Sequence, residues 1–448
     1  MLASCRTAFR CAAAGLMILS MLAATASARE TLPRRGILGA SLANAQGGGV
    51  TVTAVLPSLP AAAAGLLAGD VVKSMDGAPV ADVPDFLKKL RRPAGQAVVF
   101  GIVRGSDAKN VRVVLTEAPK EHDPAVDTAY DAVDVDHSLR RTLVTTPHGV
   151  AGKHPAVLFV GGIGCYSIDI ASNPDDAYLR LAHDLSKRGF VTMRLEKSGV
   201  GDSQGPPCPT VDYVTEAASY AVAFDALRAD PHVDPAHVYV FGHSIGSVIA
   251  PRLALQKPVA GIVVAEGVGR DWFEYELINS RRQEMLAGGT PVEVDADMLL
   301  KEDCMHRLLV EKQGRDALLR AKPDCKDYVQ YPAPPAYFQQ IVALNMAEPW
   351  SKLSIPVLAI YGTSDFVTDE ADHQRIVDVV NGAHPGNAKL TVIDGMDHYL
   401  VPAASQRASL ERVQKPAAGP PPKYDERFSA AITGWLCAHE RCAAAPAG

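Results

Sequence analysis

After its first thirty residues the chain has no apolar run long enough to cross a bilayer, and nowhere does it carry a block of lysine and arginine. The first absence argues against a multi-span membrane protein. The second, with a formal net charge of −6, argues against a nucleic-acid partner. There is no C-x-x-C pair and no cysteine–histidine cluster at ligand spacing, so no zinc, and no other metal or cofactor, is called for. No stretch repeats another. What remains is ordinary globular composition, 48% hydrophobic and 21% charged over 448 residues, enough for two or three domains with sizeable cores.

At the N-terminus, Arg6 and Arg10 precede an apolar run, and Ala26-Ser27-Ala28 follows it in the small-x-small form that signal peptidase reads. Residues 1–28 are therefore expected to be a signal peptide. The mature protein is expected to be periplasmic or secreted, with no stable membrane span after cleavage. Cleavage after Ala28 removes Cys5 and Cys11 and leaves six cysteines: Cys165, Cys208, Cys304, Cys325, Cys437 and Cys442. An even number in an exported chain predicts disulfides. Sequence does not decide the pairing. Spacing favours Cys437 with Cys442 and Cys304 with Cys325, which leaves Cys165 with Cys208.

Residues 29–117 read as one unit. "GVTVTAVLP", "AVVFGIVRG" and "VRVVLTEAP" alternate apolar and polar residues as half-buried strands do, "VPDFLKKLRR" has helical spacing, and Asp76-Gly77 marks a turn. With "AAAAGLLAGDVV" and "MDGAPV" this stretch resembles a PDZ domain of the kind found in bacterial envelope proteases. The resemblance implies a protein C-terminal peptide as partner, its carboxylate held on backbone amides of Gly36, Ile37, Leu38 and Gly39 in "RGILGASL" and its chain added as a strand beside them. The charged, proline-containing segment after it, 118–127, reads as a linker.

Beyond residue 128 the pattern changes. Two extended pieces, "AYDAVDVD" and "LRRTLVTT", are followed by short apolar runs alternating with helical segments: "PAVLFVGG", "VTMRL", "HVYVFG", "VAGIVVAEG", "IPVLAIYG" and "AKLTVID". That order implies an α/β fold, a mostly parallel sheet with helices on both faces. Polar, helix-prone residues 270–350 interrupt it, and an insertion there is expected to lie as a lid over the carboxyl ends of the strands.

Two segments fit G-x-S-x-G, one at Ser203 and one at Ser244. A nucleophilic serine needs a strand before it and a helix after it, which hold its oxygen clear of the backbone. Ser203 is followed by Pro206, Pro207 and Pro209, which rule out a helix there. Ser244 follows "HVYVF" and precedes the helix-spaced "IGSVIAPRLALQ". Serine also needs a base and an orienting acid, in this architecture in the order Ser, Asp or Glu, His. Asp365 follows the strand "IPVLAIYG", with Asp369 as the alternative, which is also expected to cap the next helix. His398 follows the strand "AKLTVID"; His373 and His439 fall in helical patterns and His384 in a turn. Oxyanion donors are expected from the amide of Ile245 and from that of Gly162 or Ile163 in "FVGGIG".

Strand order and the pieces "FVGGIG", "GHSIG", "YGTSD" and "GMDHYL" resemble the α/β-hydrolase fold, particularly bacterial esterases and the serine aminopeptidase-like branch, over 128–445. In such relatives the segment ending here in "EKSGVGDSQG" is a loop over the sheet, so the resemblance gives Ser203 a structural part. Departures are Gly161 where many members have histidine, Ser247 where glycine is usual, and the cysteines. The reading is an α/β-hydrolase preceded by a small β-rich PDZ domain. It is expected to cleave a small-molecule ester; the alternatives are a peptidase acting on short peptides and a PDZ-based binding protein with an inactive hydrolase domain.

Overall fold

The structure, a computed structural model, describes residues 32–415 and 422–444. The expected signal peptide and most of the proline-rich segment near 415–423 lie outside the described residues. Before residue 118 run eight strands: β1 (Gly36–Ile37), β2 (Ala40–Asn44), β3 (Val50–Val55), β4 (Val71–Met75), β5 (Ala78–Pro79), β6 (Ala97–Arg104), β7 (Asp107–Val114) and β8 (Thr116–Glu117). An antiparallel sheet runs β2-β3-β4-β6-β7 with β5 beside β4, while β1 pairs with β8 apart from it. In β6 the alternation is kept, with Val98, Phe100 and Ile102 buried between partly exposed neighbours. They pack with Phe86 and Leu90 of the helix Val83–Leu90, whose N-terminus Asp82 caps through the Asp85 amide. β2 is the sheet's edge, and that helix lies beside it, its Val83 amide bonded to Asn44 Oδ1 at 2.8 Å.

The larger sheet contains β9 (Val126–Val135), β10 (Ser138–Pro147), β11 (His154–Val160), β12 (Val191–Leu195), β13 (Val233–His243), β14 (Ile262–Ala265), β15 (Val357–Gly362) and β16 (Ala388–Ile393) in the order β16-β15-β14-β13-β11-β12-β10-β9. β9 and β10 are antiparallel and β11 to β16 run parallel to one another. Every residue of β12, β14 and β15 is buried; β14 and β15 accordingly read as unbroken apolar runs, while β12 also buries Thr192 and Arg194. One face packs under Tyr220, Phe224, Ile249 and Trp350, the other under Leu181, Phe190, Phe428 and Leu436. These are the two helical layers of an α/β hydrolase, preceded by a β-rich PDZ unit.

Between β14 and β15 the chain is helical, with Trp272–Ala287, Pro291–Met305 and Pro335–Ile341 as its principal helices. Arg282 ties the first of these to the loop after β15, donating to Thr368 O at 2.6 Å and to Asp369 at 2.9 Å. The segment therefore lies at the carboxyl end of the sheet. A helix at Gln406–Gln414 went unread in the sequence because it offers little apolar stripe, burying only Ser409 and Leu410. It is anchored instead by polar groups: Asp397 accepts from Ser409 Oγ at 2.5 Å and from Arg412.

Disulfides join Cys165 to Cys208, Cys304 to Cys325 and Cys437 to Cys442. The two sheets are joined by side chains, and none of these disulfides links them. Arg34 pairs with Asp169 and with Asp202, the latter at 3.0 Å, and both Arg35 and Arg91 donate to Ser203 O at 2.6 Å. Among the described residues no helix is long and apolar enough to cross a membrane, and no group of three or more His, Cys, Asp or Glu could hold a metal ion.

Candidate active site

Ser244 stands between β13 and the helix Gly246–Ala254 in the left-handed region, with φ of +54°. The turn is tight enough that a Cβ on Gly242 would fall 2.6 Å from Gly246 O, and one on Gly246 would fall 2.5 Å from Val160 O. Only glycine fits at either place. The Ser244 hydroxyl lies 3.2 Å from His398 Nε2, and His398 Nδ1 lies 2.9 Å from Asp365 Oδ2. A carboxylate can only accept, so Nδ1 carries the proton and Nε2 is free to accept from the serine. Asp365 also accepts from the Val367 amide at 2.6 Å and from Thr368 Oγ1 at 2.5 Å. Burial opposes its ionisation, but the imidazole and these donors outweigh burial and hold its carboxyl well below the usual range.

The carboxyl ends of β13, β15 and β16 thus bring Ser244, Asp365 and His398 together, while the alternatives lie elsewhere. Asp369 caps the helix Glu370–Ala383 through the Asp372 amide. His373 lies within that helix on its buried face, Nδ1 donating to Asp369 O and Nε2 accepting from the Gly267 amide, and burial pushes its pKa down to about 4. His384 and His439 stand at the C-terminal ends of two helices.

Around the oxyanion position, the amides of Ile245 and Ile163 carry no hydrogen bond among the described residues. The Gly162 amide differs: it donates to Tyr178 Oη at 3.2 Å. Gly162 itself passes so close to the serine that a Cβ there would lie 3.5 Å from Ser244 Cβ. Of the two residues that the sequence left open, Ile163 has the unengaged N–H. A developing oxyanion could be met by two such amides.

Ser203 is fully buried in the loop after β12. Its hydroxyl accepts from the Arg141 amide at 2.9 Å and donates to Glu196 O at 3.1 Å. Both groups would be orphaned by Ser203→Ala. That variant is expected to lose about 1–3 kcal/mol of stability in urea unfolding yet keep fluorophosphonate labelling. Unchanged stability with lost labelling would reverse the parts assigned to the two serines.

The serine aminopeptidase S33 family profile matches residues 175–402, a span that includes Ser244, Asp365 and His398. The chain belongs to this α/β-hydrolase family. A PDZ domain profile matches residues 36–115. Esterase EstD of Thermotoga maritima is 25% identical to this S33 hydrolase over 337 residues, covering 75% of this chain and 74% of that protein. The magnetosome formation protease MamE of Paramagnetospirillum magneticum is 37% identical over 83 residues, 18% of this chain and 11% of that protein. Among solved structures, ferulic acid-bound Est1E from Butyrivibrio proteoclasticus aligns at TM-score 0.44 and 14% identity, covering 68% of this chain and 98% of that one.

The S33 site also contains buried polar groups that the sequence did not single out. His243, the variable residue before Ser244, is 2.9 Å through Nε2 from His398 O and 2.7 Å through Nδ1 from Tyr178 Oη. A carbonyl only accepts, so Nε2 bears the proton and Tyr178 donates to Nδ1. Burial, then the neighbouring His398, push the His243 pKa down to about 3, keeping the ring neutral. Glu266, at the end of β14, accepts from the Gly362 amide at 2.8 Å and lies against Asp365. Burial, then the Asp365 charge, raise its carboxyl well above the usual range. The signal available in the sequence was position: both residues directly follow buried strand runs that end at the site.

Proposed function

We propose that this protein is an exported serine hydrolase that cleaves carboxylic esters through an acyl-enzyme, built of a signal peptide (1–28), a PDZ unit (29–117), a linker (118–127) and a hydrolase unit (128–445) with a lid at about 270–350. The observation that carries the reading is the hydrogen-bonded series Ser244–His398–Asp365 at 3.2 and 2.9 Å. Ser244 Oγ attacks the ester carbonyl while its proton passes to His398 Nε2, and the carbonyl oxygen becomes an oxyanion held by the Ile245 and Ile163 amides. The imidazolium, stabilised by Asp365, gives that proton to the leaving alkoxide as the C–O bond breaks. Water repeats the sequence on the acyl-enzyme and frees the carboxylic acid and Ser244. No metal enters these steps.

The ester choice is supported by EstD, a relative along three-quarters of the chain. Export is supported by Ala26-Ser27-Ala28 and by three disulfides, bonds that persist in oxidising compartments. A second reading, a peptidase for short peptides, draws on the PDZ unit: β2 is an unpaired edge, and the Leu38 and Gly39 amides carry no hydrogen bond among the described residues. A panel of nitrophenyl esters of graded acyl length, run beside aminoacyl anilides, separates the two. The expected result is a higher kcat/KM for the best ester than for any anilide, by about tenfold or more. Anilides turned over faster would replace the ester reading with the peptidase.

A further inference from the structure

The peptide group joining Gly162 to Ile163 is gripped on one side and open on the other. Its carbonyl oxygen accepts from Lys197 Nζ at 2.7 Å and from Tyr166 Oη at 3.0 Å. The described chain has no cis peptide bond, and a trans peptide points its N–H opposite its C=O. That N–H is Ile163's, and it carries no hydrogen bond among the described residues. The charge behind the carbonyl is itself fixed. Lys197 is buried, pairs with Glu216 Oε1 at 2.9 Å, and stands over the Tyr166 ring at 5.5 Å. Glu216 comes from the helix Tyr213–Arg228, so the ammonium is held between the loop after β12 and a helix of the sheet's covering layer.

Gly161 belongs to the same arrangement. A Cβ at that position would fall 2.7 Å from Tyr166 Oη, so any side chain there would displace the hydroxyl that holds the Gly162 carbonyl. The departure from the histidine usual at this position therefore has a physical counterpart: glycine leaves room for tyrosine, and tyrosine and lysine together take the carbonyl.

We propose that Lys197 is a positioning residue for oxyanion stabilisation, its ammonium orienting and polarising the Gly162–Ile163 peptide so that the Ile163 N–H is a stronger, pre-aimed donor. The proposal rests on the reading of Ser244 as nucleophile. A hydrogen bond accepted by a carbonyl withdraws electron density from its amide and strengthens the N–H beyond it. A donor already aimed needs no reorganisation as charge develops. The gain appears in the transition state more than in ester binding, so it acts on kcat more than on KM.

The other account of Lys197 is that it only neutralises Glu216 in the interior. Two variants separate these, on a nitrophenyl ester the parent enzyme hydrolyses. Lys197→Met is expected to lower kcat about 10- to 100-fold, with KM changed less than about twofold, a smaller loss than the roughly 10²–10³-fold seen when one oxyanion donor is removed outright. A trifluoromethyl ketone, whose hemiketal places an oxyanion at the same position, is expected to weaken by a like factor. In Lys197→Met with Glu216→Gln the buried carboxylate charge is gone but the carbonyl still lacks its ammonium, and kcat is expected to remain low. Recovery of kcat in that double variant, or a single variant that folds and keeps its kcat, overturns the proposal. Should Lys197→Met fail to fold, Tyr166→Phe removes the second donor to the same carbonyl; its kcat is expected to fall about 3- to 10-fold, and an unchanged kcat overturns the proposal equally. Ser244→Ala serves as reference. If it still turns over the ester, the site reading fails; if it is inactive while Lys197→Met is unaffected, the inference about Lys197 alone fails.

Discussion

Replacing Ser244 with alanine is expected to lower kcat on a nitrophenyl ester by about 10⁶-fold, leaving a residual rate of about 10³–10⁴ over water from oxyanion donors and binding. The loss is large because the nucleophile is removed while nothing else in the site can form the acyl-enzyme. His398 Nε2 has only Ser244 Oγ before it, and Asp365 is occupied by His398, Thr368 and the Val367 amide. A fluorophosphonate should label the parent on the peptide containing Ser244 and leave Ser244→Ala unlabelled. Label found on Ser203, or no label on the folded parent, would sink the assignment. The second outcome would favour a binding protein whose hydrolase site is idle.

The next largest effect is expected for Asp365→Asn, about 10⁴-fold in kcat near neutral pH. An asparagine in the same cradle would take the Val367 and Thr368 amides with its carbonyl oxygen and turn its amide nitrogen toward His398 Nδ1. Two donors then face each other, and the imidazole is pushed to the tautomer that places a proton on Nε2, where the serine's proton must go. Because the folded-state pKa of Asp365 lies well below its unfolded value, its charge contributes stability above the unfolded pKa and loses that contribution as pH falls through the folded one. Asp365→Asn should therefore be less stable than the parent at neutral pH, and the gap should close in acid. Activity within about tenfold of the parent would move the acid's part elsewhere, to Glu266 before any other, since it is the buried carboxyl beside Asp365.

What could be read in the sequence was whatever depends on local pattern. Strand ends are marked by the change from an apolar run to a turn, so Asp365 and His398 stand out as residues placed after such ends. The prolines after Ser203 separated it from Ser244 because proline's effect on backbone is local. Groups selected by partners far along the chain were not legible. Lys197 beside Glu216, Tyr178 beside His243 and Glu266 beside Asp365 are ordinary polar residues until folding takes them out of water together. Periodicity carries no trace of which buried polar group meets which. The helix Gln406–Gln414 escaped for a related reason, being held by Asp397 and not by an apolar face.

The contact between the two sheets sets how they can cooperate. Arg34, Arg35 and Arg91 close on Asp169, Asp202 and Ser203, and the disulfide from Cys165 to Cys208 ties together the two loops that carry these partners. Two modules on a slack tether meet by diffusion, and their cooperation is described by a local concentration that changes with tether length. Here the N-terminal sheet is seated directly on the loops framing Ser244. On the reading in which a peptide lies along β2, it would be presented at one angle and one offset from the serine hydroxyl. The 118–127 segment is no slack tether either, since Glu121 within it pairs with buried Arg194, so shifting the arginine contacts would change the registry itself.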